Sequence, residues 1–412
     1  MESRTVVVVE PGTTRTVAIA GRRHKDTGRP ELLGFGSVNS AGMRKGRVSN
    51  PEYVAKGVEQ VLDKIDDATG GGFRDCIIVC SCGDTSFRNV EGRVALSTRE
   101  GEVGVVGEAD KVRAVEACRK PETLEGRVSL DAFGQGWRLD DSPETVLEPI
   151  DREARYLSRR AMVPDMPLAE IEAFEKVFSD CDVTVRHEIF SAAAALSAAT
   201  TQQQREDGVL CIDFGGGTTS WCLARHSRIE DIGALPVGGD HVTNDILAAF
   251  RPGSTMAAER LKITHGHAVL EGVPRGERVP VAVDGGASAR TVPLYAVAQV
   301  VNARMDETLR LVRSSLESRG ATHLLGAGVV VCGGASLLGG LPELVTRVFD
   351  APCLAPTLSS GIEGFDREPA RYATIWGAFT LALEKDAREN ARAERRTFLG
   401  RLANWFEKED RA

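Results

Sequence analysis

Two acids in this chain each stand two residues before a glycine–threonine turn, at the end of an apolar run. Glu10 opens "EPGTT" after Val6 to Val9, and Asp213 opens "DFGGGTT" after Val209 to Ile212. Glycine lets a backbone approach a ligand closely, and such turns aim N–H groups and hydroxyls outward. Gly12, Thr13 and Thr14 in the first turn, and Gly215, Gly216, Gly217 and Thr218 in the second, are therefore candidates for binding phosphate oxygens. Two carboxylates beside phosphate would repel it and each other. A divalent cation resolves this, so Glu10 and Asp213 are expected to hold Mg²⁺ through water, and Asp213 is the best candidate to orient an attacking water.

Two more Gly-rich turns follow: Gly238 and Gly239 in "LPVGGDHVTNDI", and Gly333, Gly334 and Ser336 in "GVVVCGGAS", which opens an apparent helix. One such turn is an ordinary tight turn. Four, each at a strand end and two in matching contexts, point to one bound group. The matching context (apolar strand, acid, one residue, glycine, threonine, second apolar stretch) is an internal pseudo-repeat, so the chain is read as two related α/β halves, each with a Gly-Thr hairpin. No GxxxxGK[ST] stands in a phosphate-loop context, and the first strand lacks GxGxxG with an acid after the next strand. The phosphates are therefore expected between hairpins of opposite domains, with a nucleotide in an interdomain cleft where closure can report its state.

Length and charge agree with this. A chain of 412 residues exceeds one compact core, and a formal charge of -8 with few aromatics argues against a nucleic-acid partner. The nine cysteines mostly lie inside apolar runs. They read as small buried hydrophobes rather than a zinc site, Cys80 and Cys82 included. The opening "MESRTVVVVE" carries charge where a signal peptide has its apolar region, and no segment reaches the length of a spanning helix. A cytoplasmic chain with reduced thiols is expected.

These residues resemble the actin, Hsp70 and sugar-kinase ATPase superfamily, whose two phosphate hairpins and adenosine loop match "EPGTT", "DFGGGTT" and "CGGAS" in order. More narrowly, "SAGMRKGRVSNPE", "AERLKITHGHA", "VVNARMDETL" and "GVVVCGGASLLGGLPELVTRVF" are similar to blocks of the bacterial FtsA family. The resemblance implies an α/β, actin-like two-domain ATPase fold with an interdomain nucleotide cleft and an inserted 1C subdomain of the FtsA type. It places residues 1–83 and 163–208 in subdomain 1A, 84–162 in 1C, 209–240 and 321–385 in 2A with a closing helix, and 241–320 in 2B. Residues 386–412 become a charged linker and an amphipathic helix.

The resemblance also implies MgATP as ligand, with Glu259 and Lys262 at the nucleoside or ribose and Gly333, Gly334 and Ser336 shaping the adenine pocket. As a bare i, i+3 pattern, Glu259 and Lys262 equally suit a solvated ion pair, and His265 and His267 in "THGH" suit a surface turn. Relatives that turn over ATP well carry a Glu-Pro before the alanine-rich helix. Ser191 falls about where that glutamate would be, with Glu188 a turn away if the helix extends back, so at most weak ATPase activity is expected.

In "TFLGRLANWFEKEDRA", Phe398, Leu399, Leu402, Trp405 and Phe406 fall within an arc of roughly 120° at 100° per residue. This suits an interfacial membrane anchor, as the family carries there, or a helix docked on the body. By resemblance the protein forms a homopolymer through 1C and tethers the tubulin-like protein FtsZ to the cytoplasmic face of the bacterial inner membrane at the division site. Arg304 and Glu307 are the FtsZ-contact candidates, although an ordinary solvated helix face also explains them. Two other readings of the fold are a pilus-assembly scaffold and a small-molecule kinase, the latter requiring a carboxylate base facing a sugar pocket.

Overall fold

A computed structural model describes residues 4–97, 101–119, 125–282, 290–358 and 368–386. Four consecutive valines make Val6–Pro11 a strand that is buried on both faces, as a central strand must be. It pairs antiparallel with Arg15–Arg23 and parallel with Asp75–Cys80. The full sheet runs Thr184–Phe190, Asp75–Cys80, Val6–Pro11, Arg15–Arg23, Pro30–Asn39.

The second sheet runs Cys353–Leu354, Gly328–Cys332, Val209–Phe214, Thr219–Arg225, Arg228–Leu235. Its pairings follow the same sequence: two parallel, then two antiparallel. The two sheets therefore share one topology, and the sequence pseudo-repeat is a structural repeat. Glu10 and Asp213 stand at equivalent places on the central strands.

Helix Pro51–Thr69 covers the first sheet. Asn50 caps it, accepting from the Tyr53 N–H, with proline in the first turn, and Gly70 ends it in the left-handed region. Its face of Val54, Val58, Val61, Leu62 and Ile65 is buried. The helix comes so near strand Pro30–Asn39 that a Cβ at Gly36 would lie 2.8 Å from the Val61 carbonyl. On the opposite face lies the helix over residues 369–386, whose Ile375, Trp376, Phe379 and Leu383 join Val6, Val8 and Ile19 in a separate core.

Between Cys80 and Thr184 an additional unit is inserted. Strands Ser86–Ala95, Phe133–Leu139 and Tyr156–Pro167 form its sheet, Arg127–Ser129 pairs at one end, and helix Glu108–Arg119 lies across it. Its small core is Val106, Ala114, Trp137 and Leu157. The strand Tyr156–Pro167 continues out of this unit, so Met162 and Met166 belong to the main core. Helices Gly239–Phe250, Thr255–His265 and Leu294–Ser318 with hairpin Arg278–Val281/Arg290–Pro293 form the last unit. Among the described residues no helix is long and apolar enough to cross a membrane. Phe398, Leu399, Leu402, Trp405 and Phe406 lie outside the described residues.

Candidate functional site

The two Gly-Thr turns face each other between the sheets. In the first, the Gly12 N–H closes the turn by donating to the carbonyls of Glu10 and Arg15; in the second, the Gly215 N–H does so to Thr218. The N–H groups of Thr13, Thr14, Gly216 and Gly217 make no hydrogen bond among the described residues. Four unpaired backbone donors at one place are a concavity for an anion.

The glycines of the second turn have another function that their type alone does not reveal. A Cβ at Gly216 would lie 2.0 Å from Thr14 Oγ1, and one at Gly217 2.5 Å from Thr13 Oγ1. They let the hairpins meet each other as well as a ligand. The "GMRKG" loop braces this meeting: the Gly46 N–H donates to Thr13 Oγ1 (3.3 Å), and the Lys45 backbone lies against Gly217. Hydroxyls cross the cleft too, Thr14 to Asp240 (3.3 Å), Ser81 to Thr218 (3.2 Å) and Ser191 to Ser220 (2.9 Å).

Glu10 and Asp213 both line a cavity of about 330 Å³ and a smaller one of about 60 Å³ on the hairpin side. Burial, reinforced by the Asp213 charge, pushes the Glu10 carboxyl up to about 8. Burial also raises Asp213, to about 6, while hydrogen bonds from Thr374 and Ser191 hold it lower than burial alone would. A half-buried and a buried acid beside unpaired backbone donors are the donor set a hard divalent cation takes, with water completing its shell. The residues therefore fit Mg²⁺ with phosphate. Among the described residues, no group of three or more His, Cys, Asp or Glu could hold a metal by itself.

The larger cavity continues to Gly239, Glu259, Lys262, Gly333 and Gly334. Lys262, 6% exposed, is not half of a solvated pair. Its ammonium donates to the Gly239 carbonyl (3.0 Å) and Thr243 Oγ1 (2.9 Å) and pairs with Glu259 Oε2 (2.7 Å). All three donors are committed within the protein, so Lys262 positions Glu259, which also takes the Thr243 hydroxyl.

Several expected residues sit differently from the sequence reading. Gly238 caps helix Gly239–Phe250, and the Gly239 and Asp240 N–H groups donate to the carbonyls of Gly215 and Gly216. This turn braces the second hairpin. Ser336 turns its hydroxyl back to the Gly333 carbonyl (2.7 Å), and "CGGAS" opens a single 3₁₀ turn, Gly334–Leu337, before the helix Leu341–Phe349. Glu188 is no turn of helix: it lies in strand Thr184–Phe190, and the helix starts at Ser191. Ser191 lines the smaller cavity and Glu188 lines neither. Arg304 is committed to Asp245 through Nε (2.6 Å) and Nη2 (3.2 Å) and also pairs with Glu307, binding two helices together.

Sequence reasoning missed Arg15, Ile263, Leu337, Arg371, Tyr372 and Thr374, all of which line the larger cavity. Arg15 directly follows "PGTT" and could have been found. The last three come from the end of the chain, with no motif to mark them.

Two Gly-Thr hairpins on matching sheets, closing on a cavity, define the actin-like ATPase fold. Solved structures agree: the PilM–PilN type IV pilus biogenesis complex matches with a TM-score of 0.63 and 16% identity, over 92% of this chain and 98% of that one. MreB 5 of Spiroplasma citri, solved bound to AMPPNP, matches at 0.54 and 15%, over 96% and 100%. Within that class the chain resembles FtsA along nearly its whole length. The family model for cell division protein FtsA matches residues 210–377. Cell division protein FtsA of Pseudomonas aeruginosa is 28% identical over 384 residues, 93% of this chain and 90% of its own; that of Escherichia coli K12 is 28% identical over 428 residues, 99% of each.

Proposed function

We propose that the protein binds MgATP in the interdomain cleft, assembles with its own copies through the inserted unit, and tethers FtsZ to the cytoplasmic face of the bacterial inner membrane at the division site. The observation that carries the nucleotide is that four unpaired backbone donors stand beside the half-buried Glu10 and the buried Asp213, whose charge raises the Glu10 carboxyl further. A bound Mg²⁺ would neutralise triphosphate and carboxylates together, held through water by Glu10 and Asp213. Thr13, Thr14, Gly216 and Gly217 would take phosphate oxygens, and Glu259, held by Lys262, would accept from ribose hydroxyls. Ser191 beside Asp213 brings a hydroxyl where a third carboxylate would be needed to activate water strongly, which supports binding with at most weak turnover.

The division role is supported by resemblance to FtsA over nearly the whole chain, against a PilM likeness at 16% identity that carries the fold alone. A kinase would need a free base facing a second substrate. Of the further acids lining the cavity, Glu259 is instead bound to Lys262 and Thr243, and Glu368 is paired with Arg371.

Co-sedimentation with liposomes, with and without MgATP and FtsZ, tests this reading on the full chain and on a chain ending at Arg396. Tail-dependent pelleting that grows with MgATP and carries FtsZ along is expected. A full chain that stays soluble under every condition, or binds vesicles without recruiting FtsZ, would overturn it.

A further inference from the structure

Thr184–Phe190 is an outer strand of the first sheet, and a bulge in it decides where His187 stands. Val185 pairs with Cys76 and His187 with the next residue, Ile77, so Arg186 is the extra residue. The bulge reverses the alternation of side chains. Val185 packs on the main core, while His187 shares the face of Ile189, which lies with Phe379 and Leu383 of the helix over residues 369–386.

Two groups of opposite charge, from different units, meet the ring there. Asp131, between strands Arg127–Ser129 and Phe133–Leu139 of the insert, has Oδ2 2.7 Å from His187 Nε2. Lys385, in the last turn of the helix over residues 369–386, has Nζ 2.7 Å from the same nitrogen. All three side chains are half-buried. One ring nitrogen cannot serve both partners at once. A hydrogen on Nε2 donates to the carboxylate but faces the ammonium, whereas a lone pair accepts from the ammonium but faces the carboxylate. Nδ1 makes no hydrogen bond among the described residues, so the far side of the ring does not fix the tautomer.

We propose that Asp131 of the insert and Lys385 of the helix over residues 369–386 hold His187 Nε2 in alternation, so that a movement of the insert is passed to the last turn of that helix. Drawing Asp131 away leaves the lone pair to Lys385 and tightens the turn. Pressing Asp131 onto the ring places the hydrogen on Nε2 and ends its bond from Lys385. Arg23 Nε reaches the Leu383 carbonyl (3.4 Å), so the turn stays attached to the first sheet during the exchange. Under the proposed function, the insert carries self-assembly and the chain beyond residue 386 the membrane helix, so the junction would join the two. The exchange at Nε2 does not rest on that reading, and its test uses neither nucleotide nor vesicles.

The test is nitrogen NMR of the isotope-labelled histidines in the full-length protein at about pH 8, above the ordinary histidine range. Loss of a signal in His187→Gln identifies the residue, and the Nε2 shift separates the two tautomers. The wild-type shift is expected between the two limits, moved to the unprotonated limit by Asp131→Ala and to the protonated limit by Lys385→Met. Hydrogen exchange over residues 380–386 is expected to slow about twofold in Asp131→Ala, the gain when a partner holding a contact half the time holds it throughout. The two substitutions lie in different units, so misfolding of one leaves the other to decide. An Nε2 shift that either folded variant leaves in place overturns the proposal. So does faster exchange over residues 380–386 in Asp131→Ala, the result of a fixed network in which each member supports the others.

Discussion

Glu10 and Asp213 share a low-dielectric cleft, and neither ionises there without cost. With its carboxyl pushed from 4.5 to about 8, Glu10 binds extra proton in the folded state across that window. Stability of the nucleotide-free protein is therefore present below about pH 4.5 and falls as pH rises toward 8, by on the order of 1–3 kcal/mol after allowance for its partial exposure. Glu10→Gln is expected to flatten that decline in thermal unfolding while weakening magnesium-dependent nucleotide binding; a variant with the wild-type pH profile would show that Glu10 is not the group responsible. Lys262 acts in the opposite sense, as a buried charge whose partners need it. Lys262→Met removes the ammonium from Glu259 and the Gly239 carbonyl and leaves both to the single Thr243 hydroxyl, and about 2–4 kcal/mol of unfolding free energy should be lost in a denaturant titration. The acids were legible in the sequence because each precedes a glycine turn at a strand end. The commitment of Lys262 inward was not, since spacing gives a shared helix face and not which way the face is turned.

Hairpins, loops and helices divide the site between them in ways that local pattern reveals unevenly. Both Gly-Thr hairpins could be read directly, because a β-branched run ending in acid and glycine leaves the chain few alternatives. The helix over residues 369–386 is expected as a closing helix by resemblance, but its apolar periodicity gives no sign that it brings Arg371, Tyr372 and Thr374 to the cleft. Its position depends on Gly377, where a Cβ would come 1.8 Å from the Ala194 carbonyl of the helix Ser191–Ala199. Gly377→Ala should therefore lower stability by about 1–3 kcal/mol and weaken nucleotide binding by moving Thr374 off Asp213; unfolding and binding measured on one preparation check both effects. Glu188 illustrates the converse. Glu188 lies a turn from Ser191 only if the helix in "HEIFSAAAALSAA" extends back, and parallel pairing of Glu188 with Ile78 keeps that residue in the sheet instead.

At the scale of the molecule, two sheets of one topology face each other, and an insert is anchored in the core of the first. Asp165, 1% exposed, fastens that anchor by accepting from Arg88 (2.5 and 3.1 Å) and Ser129 (2.6 Å). Asp165→Ala is expected to cost about 3–5 kcal/mol and to raise hydrogen exchange first in Ser86–Ala95 and Tyr156–Pro167. The hydroxyl bonds across the cleft make the domains' relative position depend on what lies between them, and this arrangement could not be foreseen from either half alone. The whole account rests on the cleft as a MgATP site. Calorimetric titration of ATP into the wild type and Gly216→Asp, with magnesium and with EDTA, tests it most directly. The account predicts one site per chain, tighter with magnesium, and no binding by Gly216→Asp, whose side chain would meet Thr14 and place a carboxylate among the phosphate donors. Equal affinity in the two proteins, or indifference to magnesium, would contradict it.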